Sequence, residues 1–318
     1  MGRPQKFQFP SADGVHAIHA VLWPADGETR AVVQIVHGIS EYVERYAPFA
    51  AFLNAHGYAV MGHDHLGHGR TAGEEEYGRF PEKDGWHTVN RDVRRMRELA
   101  GERYPGLPLI LLGHSMGSFQ ARTYLIDYPG TVDGCILSGT GQEPAALVAF
   151  GRVLSGALCR IQGPGHVSRL VTALSLGAYN GKFRPTRTAA DWISRDRDVV
   201  DAYVSDKLCR FVPTVGMFHA MMEGIAYIGD PKNLAKMDRS TPVALFSGDA
   251  DPVGGQGKGV QKVFRLFRAA GCGDVTCKLY PGARHEILNE TNRQEVWQDM
   301  LDWMEARLGE SERSRRTD

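Results

Sequence analysis

The sequence lacks several features that would by themselves assign a class. Its 318 residues hold only five cysteines, an odd number, which argues against a disulfide framework and for free thiols in a reducing compartment. Cys272 and Cys277 are the one close pair, and one pair supplies half of a structural zinc site. Net charge is absent too, since Lys+Arg and Asp+Glu both number 37, and without a basic excess nucleic acid is not an expected partner. No run of about 18 apolar residues occurs, so an ordinary transmembrane helix is not expected. The opening residues, MGRPQKFQFPSADG, contain no apolar signal segment. These absences lead to the expectation of a cytoplasmic protein acting on a small or neutral molecule.

What is present is an ordinary globular composition, 42% hydrophobic, enough for one large α/β domain or two smaller ones, with a sizeable core. Residues 7–24 alternate about the turn dipeptide Asp13-Gly14 and predict an antiparallel hairpin. Strand-like runs then recur as AVVQIVHG (31–38), YAVMGHDH (58–65), LILLG (109–113) and VDGCILSG (132–139). Helical spacing separates them, as in Val89, Val93, Met96 and Ala100. This alternation favours a mostly parallel sheet with helices on both faces, because parallel neighbours need a crossover connection. From residue 142 the rhythm breaks, and the chain reads as helical only, with Leu147, Phe150, Leu154, Leu158 and Ile161 on one face. Strands resume with PVALFSGDAD (242–251) and VTCKLYPG (275–282), and a last helix carries Val296, Met300, Met304 and Leu308 inward. The expected division is a core of residues 1–141 and 237–309, a helical cap insertion at 142–236 and a flexible tail at 310–318.

Gly113-His114-Ser115-Met116-Gly117 fits G-x-S-x-G between a predicted strand and a predicted helix, a turn that pushes the serine out at the carboxyl edge of the sheet. A serine hydroxyl needs a base to take its proton and a carboxylate to orient that base. On such a sheet these follow in the order acid, then histidine. SGDADPVG offers Asp249 and Asp251 at a strand end, and YPGARHEILNE offers His285 in the loop after the next strand. Of the 12 histidines, His285 alone has the position and order a triad demands. Charge developing on a carbonyl oxygen needs donors already in place, and the backbone N–H groups of Met116, at its helix start, and Ile39, in the loop HGISE, are the candidates.

VHGISEYVERY, GHDHLGHGRT, LLGHSMGS, SGDADPVG and YPGARHEILNE, in this order, resemble the monoacylglycerol lipase and lysophospholipase group of serine α/β-hydrolases, also classed with the serine aminopeptidases (S33). The resemblance covers residues 7–309. It implies the α/β-hydrolase fold with a helical cap. It also implies that Ser115 is the nucleophile, that Asp251 rather than Asp249 is the orienting acid, that His285 is the base, and that Ile39 and Met116 form the oxyanion hole. The implied reaction is ester hydrolysis through an acyl-enzyme, without a cofactor, on a lipid-like ester such as a monoacylglycerol or lysophospholipid. In the cap, Phe218, Met221 and Met222 either line a slot for an acyl chain or only fix the cap to the core, and the cap is also where transient contact with a membrane surface would occur. Two alternatives remain open. Aminopeptidase or thioesterase activity uses the same triad, and an aminopeptidase needs an acidic patch, for which Asp191, Asp196, Asp198 and Asp201 are sources. A zinc-dependent hydrolase would use His63, His65 and His68 of HDHLGH, although Gly67 stands where the zinc signature has an aspartate.

Overall fold

The computed structural model describes residues 2–315. The apolar runs become strands β1 (Gln5–Pro10), β2 (Ala17–Trp23), β3 (Ala31–Val36), β4 (Tyr58–His63), β5 (Leu109–His114), β6 (Gly134–Ser138), β7 (Val243–Gly248) and β8 (Val275–Tyr280). They form a single sheet in the order β1-β2-β4-β3-β5-β6-β7-β8. The first hairpin is antiparallel, β2 joins β4 antiparallel, and every later pairing is parallel. This is the mostly parallel sheet that the alternation of strands and helices predicts, and the α/β-hydrolase arrangement that the resemblance implies.

The helices are α1 (Ala47–Ala55), α2 (Gly85–Arg103), α3 (Met116–Asp127), α4 (Ala145–Gln162), α5 (Arg169–Leu174), α6 (Leu176–Tyr179), α7 (Arg197–Ser205), α8 (Val215–Gly229), α9 (Pro231–Leu234), α10 (Lys258–Ala269) and α11 (Arg293–Arg315). Successive strand residues face opposite layers. Along β5, Leu109 and Leu111 join Val93, Met96, Phe119 and Phe267 from α2, α3 and α10. Ile110 and Leu112 join Phe49 and Leu53 of α1 and Trp297 and Met300 of α11 on the other side. With both faces covered, β3, β4, β5 and β7 are buried at every position, which is why they read as continuous apolar runs. Between β6 and β7 the chain makes only helices.

Several expectations need correction. The apolar stripe of α4 does not turn wholly inward: α4 packs on α8 through Val148 and Ser155, while Leu147, Phe150 and Ile161 are 53%, 59% and 79% exposed. The exclusion of a helix able to cross a membrane does not hold either. Arg152 and Arg160 interrupt the apolar letters, yet α4 has 18 residues of mean hydropathy 1.3, long and apolar enough by length and composition alone. At the carboxyl end, α11 continues to Arg315, past the expected boundary at 309, because Glu and Arg favour helix. Residues 316–318 of the expected tail lie outside the described residues.

Candidate active site

β5 ends at His114 and α3 begins at Met116, so Ser115 alone makes the turn, at φ 54 and ψ −122. A non-glycine residue rarely adopts a positive φ, and the strain is held here by surrounding contacts. A Cβ on Gly113 would stand 2.4 Å from the Gly117 carbonyl oxygen, and one on Gly117 would stand 1.9 Å from that of Val36. Only glycine allows strand and helix to cross this closely. Ser115 N–H donates to the Ser138 carbonyl at 2.9 Å, anchoring the turn to β6.

His285 follows β8, and its Nδ1 lies 3.0 Å from Asp251 Oδ2. Asp251 is fully buried, accepts from Val253 N–H at 2.8 Å and from Ser247 Oγ at 3.4 Å, and so is fixed on both oxygens. Asp249 instead points out and accepts from Gly282 N–H at 2.7 Å, a turn contact. Burial opposes a charge on His285, but the charge and hydrogen bond of Asp251, with Glu286 and Glu41 beyond, outweigh it and raise its pKa above 6.5. An imidazole bonded to a carboxylate at Nδ1 presents Nε2 as the free base. Ser115 Oγ and His285 Nε2 make no hydrogen bond to each other in this structure, but both residues line one small cavity. Catalytic hydrogen bonds of this kind often close only in the substrate complex.

The loop after β3 is shaped by histidines. His65 N–H donates to His37 Nε2 at 3.0 Å, which leaves the ring proton on His37 Nδ1, donated to the Gly38 carbonyl at 2.7 Å. In a trans peptide C=O and N–H point opposite ways, so fixing the Gly38 carbonyl also fixes the direction of the Ile39 N–H. Gly38 N–H is taken by Glu41 Oε1 at 2.5 Å, whereas Ile39 N–H has no acceptor among the described residues. Met116 N–H, in the first turn of α3, has no intrahelical acceptor. Ile39 and Met116 both border the cavity at Ser115, as a pair of oxyanion donors must.

That cavity is also lined by Phe119 of α3 and by Phe218, Met221 and Met222 from α8. Ser115 also borders a second, smaller cavity, lined in part by residues that the triad order does not mark as functional. Glu41 and Glu286 wall the smaller cavity. Both are bridged by Arg45, at 2.9 Å to Glu41 and at 2.8 and 2.7 Å to Glu286. Burial pushes the Glu286 carboxyl up, but Arg45 outweighs it and holds the group down to about 2. The one local signal is EYVER, which places an acid and a base four residues apart; the other partner, Glu286, is 241 positions from Arg45.

The four aspartates that an aminopeptidase reading would need, Asp191, Asp196, Asp198 and Asp201, do not line either cavity at Ser115. Asp191 accepts from Thr188 Oγ1, Asp196 caps α7 and pairs with Arg293, and Asp201 pairs with Arg187. The zinc alternative fares no better. His68 Nδ1 is engaged by the Leu66 carbonyl and His65 Nε2 by that of His37, and neither ring nitrogen of His63 has a partner. Among the described residues no three His, Cys, Asp or Glu side chains are disposed to share a metal ion.

With this geometry in place, the family model described as serine aminopeptidase, S33, matches residues 27–292. The chain belongs to that S33 family. Among its S33-like relatives, a monoacylglycerol lipase of Mycolicibacterium smegmatis is 30% identical over 94% of this chain and 96% of its own length. The human monoglyceride lipase is 29% identical over 88% of this chain and 83% of its own. A solved thermostable carboxyl esterase from Bacillus coagulans, in complex with glycerol, superposes with a TM-score of 0.90 at 29% identity, covering 97% of this chain and all of that one. The S33 protein is therefore a serine hydrolase of the carboxylic-ester type.

Proposed function

We propose that the chain hydrolyses a monoacylglycerol-like ester through an acyl-enzyme on Ser115. The observation that carries this reading is the Asp251–His285 pair at 3.0 Å, with His285 and Ser115 on one small cavity walled by Glu41 and Glu286 and Ser115 also on a larger, apolar one. His285 Nε2 takes the Ser115 hydroxyl proton as Oγ bonds to the ester carbon. The resulting oxyanion is held by the Ile39 and Met116 N–H groups. As the C–O bond to the alcohol breaks, the proton passes from Nε2 to the leaving oxygen; water then repeats the sequence to release the acid.

Phe218 and Met222 belong to the cavity at Ser115 and also to an apolar groove of about 260 Å³ between α4, α5 and α8, lined by Leu147, Phe150 and Leu154. This continuity supports their role as an acyl slot whose mouth opens on the exposed apolar face of α4. The residues from α4 to α9 act as a cap in this reading, and Leu147 and Phe150 meet the lipid surface that supplies the substrate. Leu147→Ser/Phe150→Ser is expected to lower turnover of monoacylglycerol in vesicles several-fold while leaving soluble p-nitrophenyl acetate unaffected, which steady-state rates on both substrates will check.

The two carboxylates beside Ser115, Glu41 and Glu286, favour a neutral alcohol. Arg45 is shared between two carboxylates, so it offers no unpaired cation to a phosphate, and a second anion beside Glu41 and Glu286 is repelled. The test is a comparison of esters with one acyl chain and different head groups. A monoacylglycerol is expected to have kcat/KM at least about tenfold above that of the matching lysophosphatidyl ester; equal or inverted values would contradict the assignment. An aminoacyl anilide series in the same assay tests the peptidase alternative.

A further inference from the structure

Residues 191–196 lie inside the helical insertion, yet their bonds run to the loop that carries His285. Glu286 N–H donates to the Ile193 carbonyl at 2.7 Å and His285 N–H to the Trp192 carbonyl at 3.4 Å. The Arg284 guanidinium donates to the carbonyls of Asp191 and Ser194, and Ser194 Oγ donates to that of Asn289 at 3.1 Å. Glu290, fully buried, closes the seam. Its carboxylate accepts from Arg195 N–H at 3.0 Å, from Arg195 Nε at 2.9 Å, and from the N–H groups of Arg284 and Thr291 at 2.9 Å.

At the centre of this seam the Trp192 ring lies 4.9 Å from the His285 ring, centroid to centroid, with 36° between the planes. The His114 ring is 4.8 Å away from His285 as well. Trp192 is buried and borders both cavities at Ser115.

We propose that Trp192 is a positioning residue for His285: the insertion, fastened through Arg195 and Glu290, holds the imidazole so that Nε2 faces Ser115, and the indole stabilises the imidazolium that forms when the serine proton is taken. The proposal rests on His285 being the base. One hydrogen bond, from Nδ1 to Asp251, leaves a ring free to swing about that point, whereas contacts from Trp192 and His114 remove the swing. A cation against an indole face is attracted by the ring quadrupole, so this contact is stronger in the transition state than before it, which is the condition for raising kcat. Other groups acting on the imidazolium are Asp251 at Nδ1, Glu286 and Glu41 as nearby carboxylates, and the His114 ring, which burial keeps neutral by lowering its pKa to about 3. The insertion would then serve the chemistry itself and not only the recognition of the acyl chain.

The test uses the full chain and p-nitrophenyl acetate, whose two-carbon acyl group is too short to reach the groove between α4, α5 and α8. Trp192→Ala is expected to lower kcat about tenfold with little change in KM, and to move the acid-limb pKa of kcat/KM, which reports the base, downward. Trp192→Phe should restore most of both. Glu290→Gln should lower kcat on the same substrate, again with KM held. If Trp192→Ala does not fold, Trp192→Leu, which keeps an apolar wall without a π face, carries the same expectation. Wild-type kcat and an unmoved pKa in the folded Ala or Leu variant would overturn the proposal, and so would a lowered melting temperature as the sole effect. His285→Ala separates the two levels: if it keeps activity, the assignment of the base fails; if it is inactive while Trp192 variants are normal, only the positioning role fails.

Discussion

Ser115→Ala is expected to abolish ester turnover, with a loss in kcat on the order of 10⁵ or more, and to leave the thermal midpoint nearly unchanged. The large kinetic effect follows from the role of the hydroxyl, since no other side chain at the cavity supplies a nucleophile to which His285 is matched. The small structural effect follows from the contacts. What anchors the turn is the Ser115 backbone N–H on the Ser138 carbonyl and the close crossing of Gly113 and Gly117, none of which involves Oγ. Alanine meets the same φ of 54 that serine already tolerates. Steady-state assays beside circular dichroism check both halves: an alanine variant retaining a tenth of the activity would remove Ser115 from the mechanism.

The second large effect concerns acid. Six histidines, His19, His37, His63, His65, His68 and His114, are buried, and desolvation lowers their pKa values, to about 3 for His63 and His114 and about 4 for His68. For a base whose folded pKa is depressed, stability is fully present above the unfolded value near 6.5 and is lost as pH falls, because the unfolded chain takes up protons that the folded chain refuses. Three carboxyls work the other way: burial raises Asp64 to about 7, Asp92 to about 6, and Glu41 above 4.5. Histidines with raised pKa values, such as His16 and His87, are protonated in both states below 6.5 and add no slope there. The depressed imidazoles outnumber the raised carboxyls, so stability is expected to fall by on the order of a few kcal/mol per pH unit as pH drops below about 6.5. That is comparable to a whole domain's stability over two units. The urea midpoint is therefore expected to fall steeply across this range. His63→Leu should flatten the slope by about one proton without loss at pH 8, since neither His63 nitrogen has a partner to lose. A flat profile for the wild type would contradict the neutral cluster.

Legibility in the sequence followed the range of the interaction. β3 to β7 could be read because strands buried on both faces must be continuous apolar runs, and G-x-S-x-G could be read because the clearance at Gly113 and Gly117 admits nothing else. The order serine, acid, histidine is a property of chain topology and is likewise local to each strand end, whereas the choice of Asp251 over Asp249 rests on the family resemblance. What escaped depends on contacts between distant segments. Glu286 meets Arg45 across 241 positions, and Trp192 meets His285 although nothing in the sequence around Trp192 marks it. The histidines of HDHLGH suggested a metal because ligand-like spacing is visible in sequence, whereas their burial in the core, with His37 and Phe9 beside them, is not. The outward tilt of α4 escaped for the same reason: a helix pattern marks an apolar stripe but not what covers it.

A fluorophosphonate probe followed by intact mass and peptide mapping tests the central assignment most directly, because it reports the one oxygen activated by a neighbouring base. The expected result is a single adduct on the peptide containing Ser115, lost in Ser115→Ala and slowed on the order of 10³ in His285→Ala. An adduct on another residue, or none in active enzyme, would contradict it.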